Sequence, residues 1–556
     1  MKTRALLLAT VLWLSSADGA ASATNAVVLA AAATSSAPGA ASATCLLDPG
    51  CQGVWSPGAA DHGTDEGIYV QFEKPTPIHY LQVTLEGLPD ALAARSHYEL
   101  YLNGRTRNSR GPYVAGEASF PAAPGVLVFG VGNTADPGID PLQETVRSMF
   151  LKLNPRSAGS LPPPRIKRIA FLAADHAALP LALPTLLPAT VTATSVLEPI
   201  SAYHPANLFD SRYDFAWSTD GKKTTGTGES VTLTFTSPQT VSGLLVWNGY
   251  QRSPEHFKAN GRVRTLEVVA NAQSPQTVGL LDQTGSQLIR LTPPLTGARQ
   301  IKFAIRETVA GASYKDVLIS ELRLVGTNGA LLLPQTELPK TAAPTTFQGL
   351  IDRSFASILH QPVWGDSLAL DEQGYRLSKQ CDNARIRVRG NGTFVIYKDF
   401  NYGTADSAQR PANINANVVE GNWEPKGGTL RIFGRKYVTA LRQSEYGGTS
   451  APATARTEIF QSELSIKPYN GLTAQEKATL FAYLWQKKHG PTTKAQKFLW
   501  VIGKDDQWIE GANYEDLVKK MDAALLSLNP YYLQSSVLND LVLPSDAVSA
   551  CFSSAS

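Results

Sequence analysis

The chain repeats itself, and that limits its fold more than any other feature. Trp55 is followed 17 residues on by Phe72, inside the run Ile68-Tyr69-Val70-Gln71-Phe72. Trp217 is followed 18 residues on by Phe235, inside Val231-Thr232-Leu233-Thr234-Phe235. Each run then meets a proline, Pro75 or Pro238, and three residues later a second strand starts at Ile78 or Val241. Further on, Asn103-Gly104-Arg105 matches Asn260-Gly261-Arg262, and Met149, Leu151 and Leu153 alternate as Ile301, Phe303 and Ile305 do. The last strands of the two copies are 166–171 and 317–324, and the offset stays near 160 throughout. Similarity held at one offset over that length means two units of one architecture.

That architecture is all-β. Period-two alternation, β-branched residues and closely spaced turn residues describe antiparallel strands. Such strands bury one face only against a second sheet, so each copy is expected to be a sandwich, with Trp55 or Trp217 as a core plug. The 44 glycines and 36 prolines among 556 residues exclude a helical bundle, and an apolar share of 43 % excludes global disorder. Fifty basic against 47 acidic residues, net +3, give no electrostatic case for nucleic acid or an anionic membrane as partner.

The second copy resembles a known family. The residues are Ala206-Asn207-Leu208-Phe209-Asp210, Ala216-Trp217, Gly226-x-Gly228-Glu229, Trp247-Asn248-Gly249-Tyr250, Phe257-x-x-Asn260-Gly261-Arg262-Val263, Leu281-Asp282 and Tyr314-Lys315-Asp316-Val317-x-Ile319-Ser320-Glu321-Leu322. Over residues 193–327 they resemble the NADase-type glycan-binding domain, a discoidin-like, F5/8 type C-like module. The first copy looks like a divergent relative, with Leu85-Glu86-Gly87 where the second has Asn-Gly-Tyr. The resemblance implies the sandwich fold and glycan binding. It implies no NADase activity, which would need a catalytic domain.

Glycan recognition needs a ring face to stack on and fixed hydrogen-bonding groups around it. Trp247, Asn248 and Tyr250 offer both within four residues, and Asn260 and Arg262 add an amide and a fork-shaped donor. The competing reading buries Trp247 and makes Asn260-Gly261-Arg262 a tight turn, which its presence in both copies favours. Asp210, Asp214 and Glu321 stand where discoidin-like folds often hold a structural calcium. The alternative there is a capping Asp and an Arg-paired Glu, with Arg212 or Arg323 as the base.

The remaining segments complete a plan. Lys2 and Arg4, an apolar run over 5–14 and Ala21-Ser22-Ala23 read as a signal peptide, residues 1–23. Residues 24–44 read as an Ala/Ser/Thr-rich tether, 176–192 as a Pro-rich linker and 331–344 as a second linker. These flank sandwiches at 45–175 and 193–330. Residues 345–556 form an α+β domain with no recognised family. It comprises a helix over 347–359, strand-like runs at 384–389, 392–398, 418–423, 429–433, 437–442 and 458–468, and helices from Thr473, over 493–501 and over 514–526. Those runs suggest a β-meander or small barrel. Four cysteines in an oxidising compartment suggest two disulfides. Cys45–Cys51 with Cys381–Cys551 is the natural pairing, though order along the chain leaves three open.

Catalytic signatures (His-Glu-x-x-His, Gly-x-Ser-x-Gly, a P-loop, a dinucleotide glycine fingerprint) do not occur in the sequence. The expectation is thus a mainly β, exported bacterial protein, periplasmic or extracellular. It would bind a glycan or cell-surface polysaccharide without catalysis, cofactor or membrane insertion. The alternatives are a secreted enzyme or toxin whose C-terminal domain the modules target, and a structural envelope protein.

Overall fold

The computed structural model describes residues 25–58, 66–86, 98–102, 105–106, 113–114, 125–132, 139–140, 144–153, 165–213, 215–271, 273–339, 342–357, 385–400, 414–441, 454–489, 498–502, 507–511, 514–536 and 538–544. The signal peptide, Asp214, Cys381 and Cys551 lie outside them.

Both copies are antiparallel sandwiches. In the first, strand Gly67–Ile78 lies between Ala26–Ala33 and Glu144–Leu153, and a facing sheet pairs Ile166–Leu172 with Tyr80–Leu85. The second repeats the pattern. Strand Ser230–Asn248 pairs with Thr185–Ala193 and Gln287–Val309, and its far half pairs with Val317–Val325. Leu151 faces Ile68 in one register as Phe303 faces Val231 in the other. Trp55 and Trp217 are both fully buried, and each indole N–H donates to the carbonyl of an equivalent serine, Ser35 at 3.0 Å or Ser195 at 3.1 Å.

Three expected connectors are strands instead. The presumed tether contains Ala26–Ala33, whose Val28 and Ala31 enter the first core, and the short helix Ala43–Leu47, capped by Ser42. Alanine alternation carries too little β signal to read as a strand, but small side chains suit a strand pressed between neighbours. The Pro-rich linker contains Leu181–Ala182 and Thr185–Ala193. Pro184 falls between them, and the antiparallel ladder to Ser230–Asn248 begins only at Ala189, so Pro188 removes no donor from it. The second linker contains Leu331–Gln335, parallel to Thr185–Ala193, just as Leu181–Ala182 runs parallel to Ala26–Ala33. Each copy therefore closes with a short parallel strand beyond its last long one.

The C-terminal region is a closed eight-stranded barrel: Ser354–Ser357, Arg385–Val388, Thr393–Phe400, Ile414–Lys426, Thr429–Leu441, Thr454–Pro468, Tyr531–Gln534 and Asn539–Pro544. Ile386, Val388, Phe394, Ile396, Trp423 and Ile432 form its core. Hairpin turns fall where glycine was expected to make them, at Gly392 (φ 86°) and Gly427 (φ 61°). Helices Ala474–His489 and Tyr514–Leu528 pack outside on Leu541 and Leu543, while Val542 points inward. Thr473 and Glu476 form the expected capping box: the Glu476 N–H donates to the Thr473 hydroxyl at 3.2 Å, and the Thr473 N–H donates to the Glu476 carboxylate at 2.9 Å.

Two expected helices do not form among the described residues of this domain. Residues 347–359 give a turn at Thr345–Phe347 and the strand Ser354–Ser357, because Asp352 takes a left-handed φ of 59° that ends any helix. In the 493–501 stretch, Phe498–Ile502 is a strand paired with Gln507–Gly511, as its aromatic and β-branched residues favour. Cys45 and Cys51 are bridged, Cα to Cα 5.4 Å.

The three bodies dock on one another. Leu29 of the first sandwich packs on Leu245 and Trp247 of the second. Glu66 of the first sandwich meets Arg387 and Arg389 of the barrel. Ala202 and Phe215 of the second pack on Phe433 of the barrel.

Candidate functional site

The loops at one end of the second sandwich, at 219–229, 249–260, 281–287 and 309–316, form its rim. The expected ligand residues sit there, but they hold the rim together instead of facing solvent. Trp247 is 5 % exposed and Tyr250 2 % exposed. Trp247 is covered by Leu29 and Tyr213. Tyr250 is enclosed by Tyr203, His256 and Arg252, whose guanidinium donates to its hydroxyl at 3.0 Å. Docking of the first sandwich covers Trp247 through Leu29, while Tyr250 is buried by residues of its own domain.

The polar candidates are likewise committed. The Asn248 amide donates to the Val263 carbonyl at 2.8 Å and accepts from the Val263 N–H at 3.0 Å, replacing a missing rung between strands. Gly249 has φ 70°, and a Cβ there would lie 2.6 Å from Arg262 Cγ, so glycine is required on both counts. Asn260 caps the helix Pro254–Ala259 by donating to His256 O at 2.8 Å. Arg262 forks onto Asp282 at 2.8 and 2.9 Å, donates to Asn260 O at 2.9 Å and lies over the Phe257 ring. Asn260 closes the helix and Gly261 and Arg262 begin strand Gly261–Ala270, so this tripeptide is a helix-to-strand junction, whereas Arg105 follows the equivalent strand Tyr98–Leu102 of the first copy.

Of the calcium candidates, Asp214 lies outside the described residues, and Asp210 and Glu321 have protein partners. Glu321 is held by Arg323 at 2.8 Å, and the same guanidinium donates to Leu208 O and to the Ser211 hydroxyl. Asp210 accepts from the Arg212 N–H at 2.7 Å. Burial raises both carboxyls, Asp210 to about 6, and the nearby Asp210 raises Glu321 further. Arg323 occupies one Glu321 oxygen, while Glu321 Oε1 is buried without a hydrogen-bond partner. Among the described residues no group of three or more His, Cys, Asp or Glu could hold a metal.

What the rim does present is Tyr314, 57 % exposed. Its loop is pinned by the Ser313 and Tyr314 N–H groups, both donating to Ala259 O at 2.9 Å, and by the Ala312 N–H on Lys258 O at 3.0 Å. The adjoining 220–223 turn abuts it so closely that a Cβ on Gly221 would lie 2.5 Å from Asp316 N. Asp316 is half-buried, and its carboxyl is raised by burial and then by nearby Asp220. Lys223 Nζ donates to Asp220 at 2.9 Å and lowers it. The loop that carries the exposed Tyr314 thus also carries Asp316 and lies against the turn of Asp220, Lys222 and Lys223. The signal in the sequence was Tyr-Lys-Asp directly before the last long strand, where the chain turns back across the rim.

Residues 184–325 match the family described as the NAD glycohydrolase translocation F5/8 type C domain. This segment is an F5/8 type C domain. Solved structures similar to the chain include the family 32 carbohydrate-binding module of Clostridium perfringens NanJ with galactose. That match is 18 % identical, covers 24 % of this chain and 92 % of that one, and has a TM-score of 0.20. An F5/8 type C domain from Bacteroides fragilis is 13 % identical, with 26 % and 93 % covered and a TM-score of 0.20. A Clostridium perfringens family 32 module bound to GalNAc-β-1,3-galactose is 17 % identical, with 24 % and 94 % covered and a TM-score of 0.20. No curated protein matches the chain. No helix among the described residues is long and apolar enough to cross a membrane.

Proposed function

We propose that the chain is an exported carbohydrate-binding protein whose F5/8 type C domain takes a saccharide on Tyr314. One observation carries this: a largely exposed tyrosine on a hydrogen-bonded loop that also carries Asp316 and lies against the turn of Asp220 and Lys223. Sugar C–H faces stack on such a ring, and carboxylates and ammonium groups accept from and donate to the hydroxyls around it. The solved F5/8-type modules with galactose and GalNAc-galactose support the ligand class. Export is supported by the N-terminal leader pattern and by the Cys45–Cys51 bridge, which persists in oxidising compartments. The role is binding without catalysis, since the rim carboxylates are tied to lysine or half-buried rather than set across a reacting bond.

The test is a glycan array probed with the full chain and with Tyr314→Ala. Retention should fall at least about tenfold on substitution, with Tm unchanged because the ring is exposed. Equal retention by the two proteins would remove the assignment.

A further inference from the structure

The loop that carries Tyr314 is held by a helix too short to hold itself. Pro254–Ala259 has six residues, and a helix of that length is not stable on its own in water. Its position is set by what touches it. Ser253 caps its first turn by accepting from the His256 N–H at 3.3 Å, and Phe257 is buried with the Arg262 guanidinium over its ring. Its last carbonyls do the pinning: Lys258 O accepts from the Ala312 N–H, and Ala259 O from the Ser313 and Tyr314 N–H groups. A shift of the helix therefore carries the Tyr314 backbone with it.

The approach to this helix reaches the barrel. The His256 ring lies edge-on to Tyr250, centroids 5.5 Å apart. Arg252, just before the Ser253 cap, donates to the Tyr250 hydroxyl at 3.0 Å and to Gly434 O, on barrel strand Thr429–Leu441, at 3.5 Å. Its guanidinium lies 4.8 Å from the ring centroid of barrel residue Phe433. Phe433 is buried, and a cation–π contact is worth most where water is excluded. Tyr203 makes a second arm, its ring 6.2 Å from Tyr250 and 6.3 Å from Phe433. Phe433 thus backs two of the groups that enclose Tyr250. From there the contacts run without a gap through Tyr250, His256 and the end of the helix to the Tyr314 N–H.

We propose that the barrel positions the Tyr314 loop, with Arg252 as the positioning residue and Phe433 as the surface it rests on. The proposal rests on the Tyr314 reading and gives the C-terminal domain a part in it. With the barrel undocked, the F5/8 type C domain keeps the ring and loses its placement.

Amide exchange is read residue by residue in the full chain and in two variants, Arg252→Gln in the domain and Phe433→Leu in the barrel, with no saccharide present. Arg252→Gln removes the guanidinium, and Phe433→Leu keeps an apolar side chain without a ring face. Each should speed exchange of the Ala312, Ser313 and Tyr314 N–H groups several-fold, while strand Ser230–Asn248 keeps its rates. On the glycan array each should lower retention several-fold. A barrel substitution that acts on the barrel alone does not reach those three amides. Unchanged exchange there in Phe433→Leu would therefore overturn the proposal, as would a loss of protection spread evenly over the domain in both variants. Failure of the Tyr314 reading looks different: Tyr314→Ala would then leave array retention intact while the exchange response to Phe433→Leu remained.

Discussion

The two sandwiches share one corner and use it in opposite ways. In the first, the Gly67 N–H donates to the Thr34 hydroxyl at 2.9 Å and that hydroxyl donates to Glu66; in the second, the Ser230 N–H donates to the Thr194 hydroxyl at 2.8 Å and that hydroxyl donates to Glu229. Glu66 is fully buried between Arg387 and Arg389 of the barrel. Glu229 remains partly open, and among the described residues no base reaches it. The Thr–Glu corner therefore belongs to the architecture, and its surroundings decide its use. One rim became a docking face for the barrel, and the other stayed open beside Tyr314.

The largest effects should fall where the copies agree. Trp55→Ala and Trp217→Ala each remove a fully buried ring and its hydrogen bond to serine, at a cost of about 3–5 kcal/mol apiece. Hydrogen exchange resolved by region is the suitable readout, since three docked bodies need not unfold together. A loss confined to one of the two variants would break the equivalence of the copies at their cores.

The next effect should separate them. Glu66→Gln leaves two buried guanidinium groups uncompensated and should cost about 3 kcal/mol, loosening the seam between the first sandwich and the barrel. Glu229→Gln, at the same position of the partly open rim, should cost less than about 0.5 kcal/mol. Equal costs would show that the corner itself, not the barrel, carries the energy. Limited proteolysis across the seam would report which.

Acid should also act on the copies with opposite sign. Burial works to raise the Glu66 carboxyl, but Arg389 and Arg387 outweigh it and hold it below its usual value of 4.5. Its contribution is present above pH 4.5 and is lost as pH falls through the lower folded value. In the second sandwich, burial raises Asp210 from 3.8 to about 6 beside Glu321. Its contribution is greatest below pH 3.8 and is lost as pH rises through about 6. Between neutrality and pH 4, the second sandwich should gain exchange protection; below pH 4.5, the first should begin to lose it. Parallel behaviour in both would contradict the two charge environments.

Much of this contrast was legible before the structure, and the rest had a physical reason to be hidden. The tryptophans and alternating strands follow from local pattern, a property of a few neighbouring residues, and the offset near 160 follows from matching those patterns along the chain. The closing strands at Leu181–Ala182 and Leu331–Gln335 look like linkers in the sequence because two to five residues carry no period and the strands they run parallel to are over 100 residues away. Trp247-Asn248-Gly249-Tyr250 was read as an open platform because aromatic and amide groups look alike in a ligand site and in a seam. Only the positions of Leu29, Tyr213 and the barrel-facing Arg252 decide between them. Tyr250→Ala should accordingly destabilise by about 2–4 kcal/mol, where an open platform residue would leave Tm unchanged.

The smallest effect tests the Arg262 fork, which the copies do not share. Arg262→Lys keeps the charge beside Asp282 but loses the two-pronged bond at 2.8 and 2.9 Å and the contact with Phe257. Because Asp282 is 43 % exposed, water replaces part of what is lost, and the cost should be near 1 kcal/mol or below. Arg105 stands elsewhere in the first copy: strand Tyr98–Leu102 pairs with Glu144–Leu153 as Gly261–Ala270 pairs with Gln287–Val309, so Arg105 follows the strand that Arg262 begins. Arg105→Lys should therefore leave local exchange rates unchanged where Arg262→Lys raises them, and equal losses in the two variants would contradict that difference.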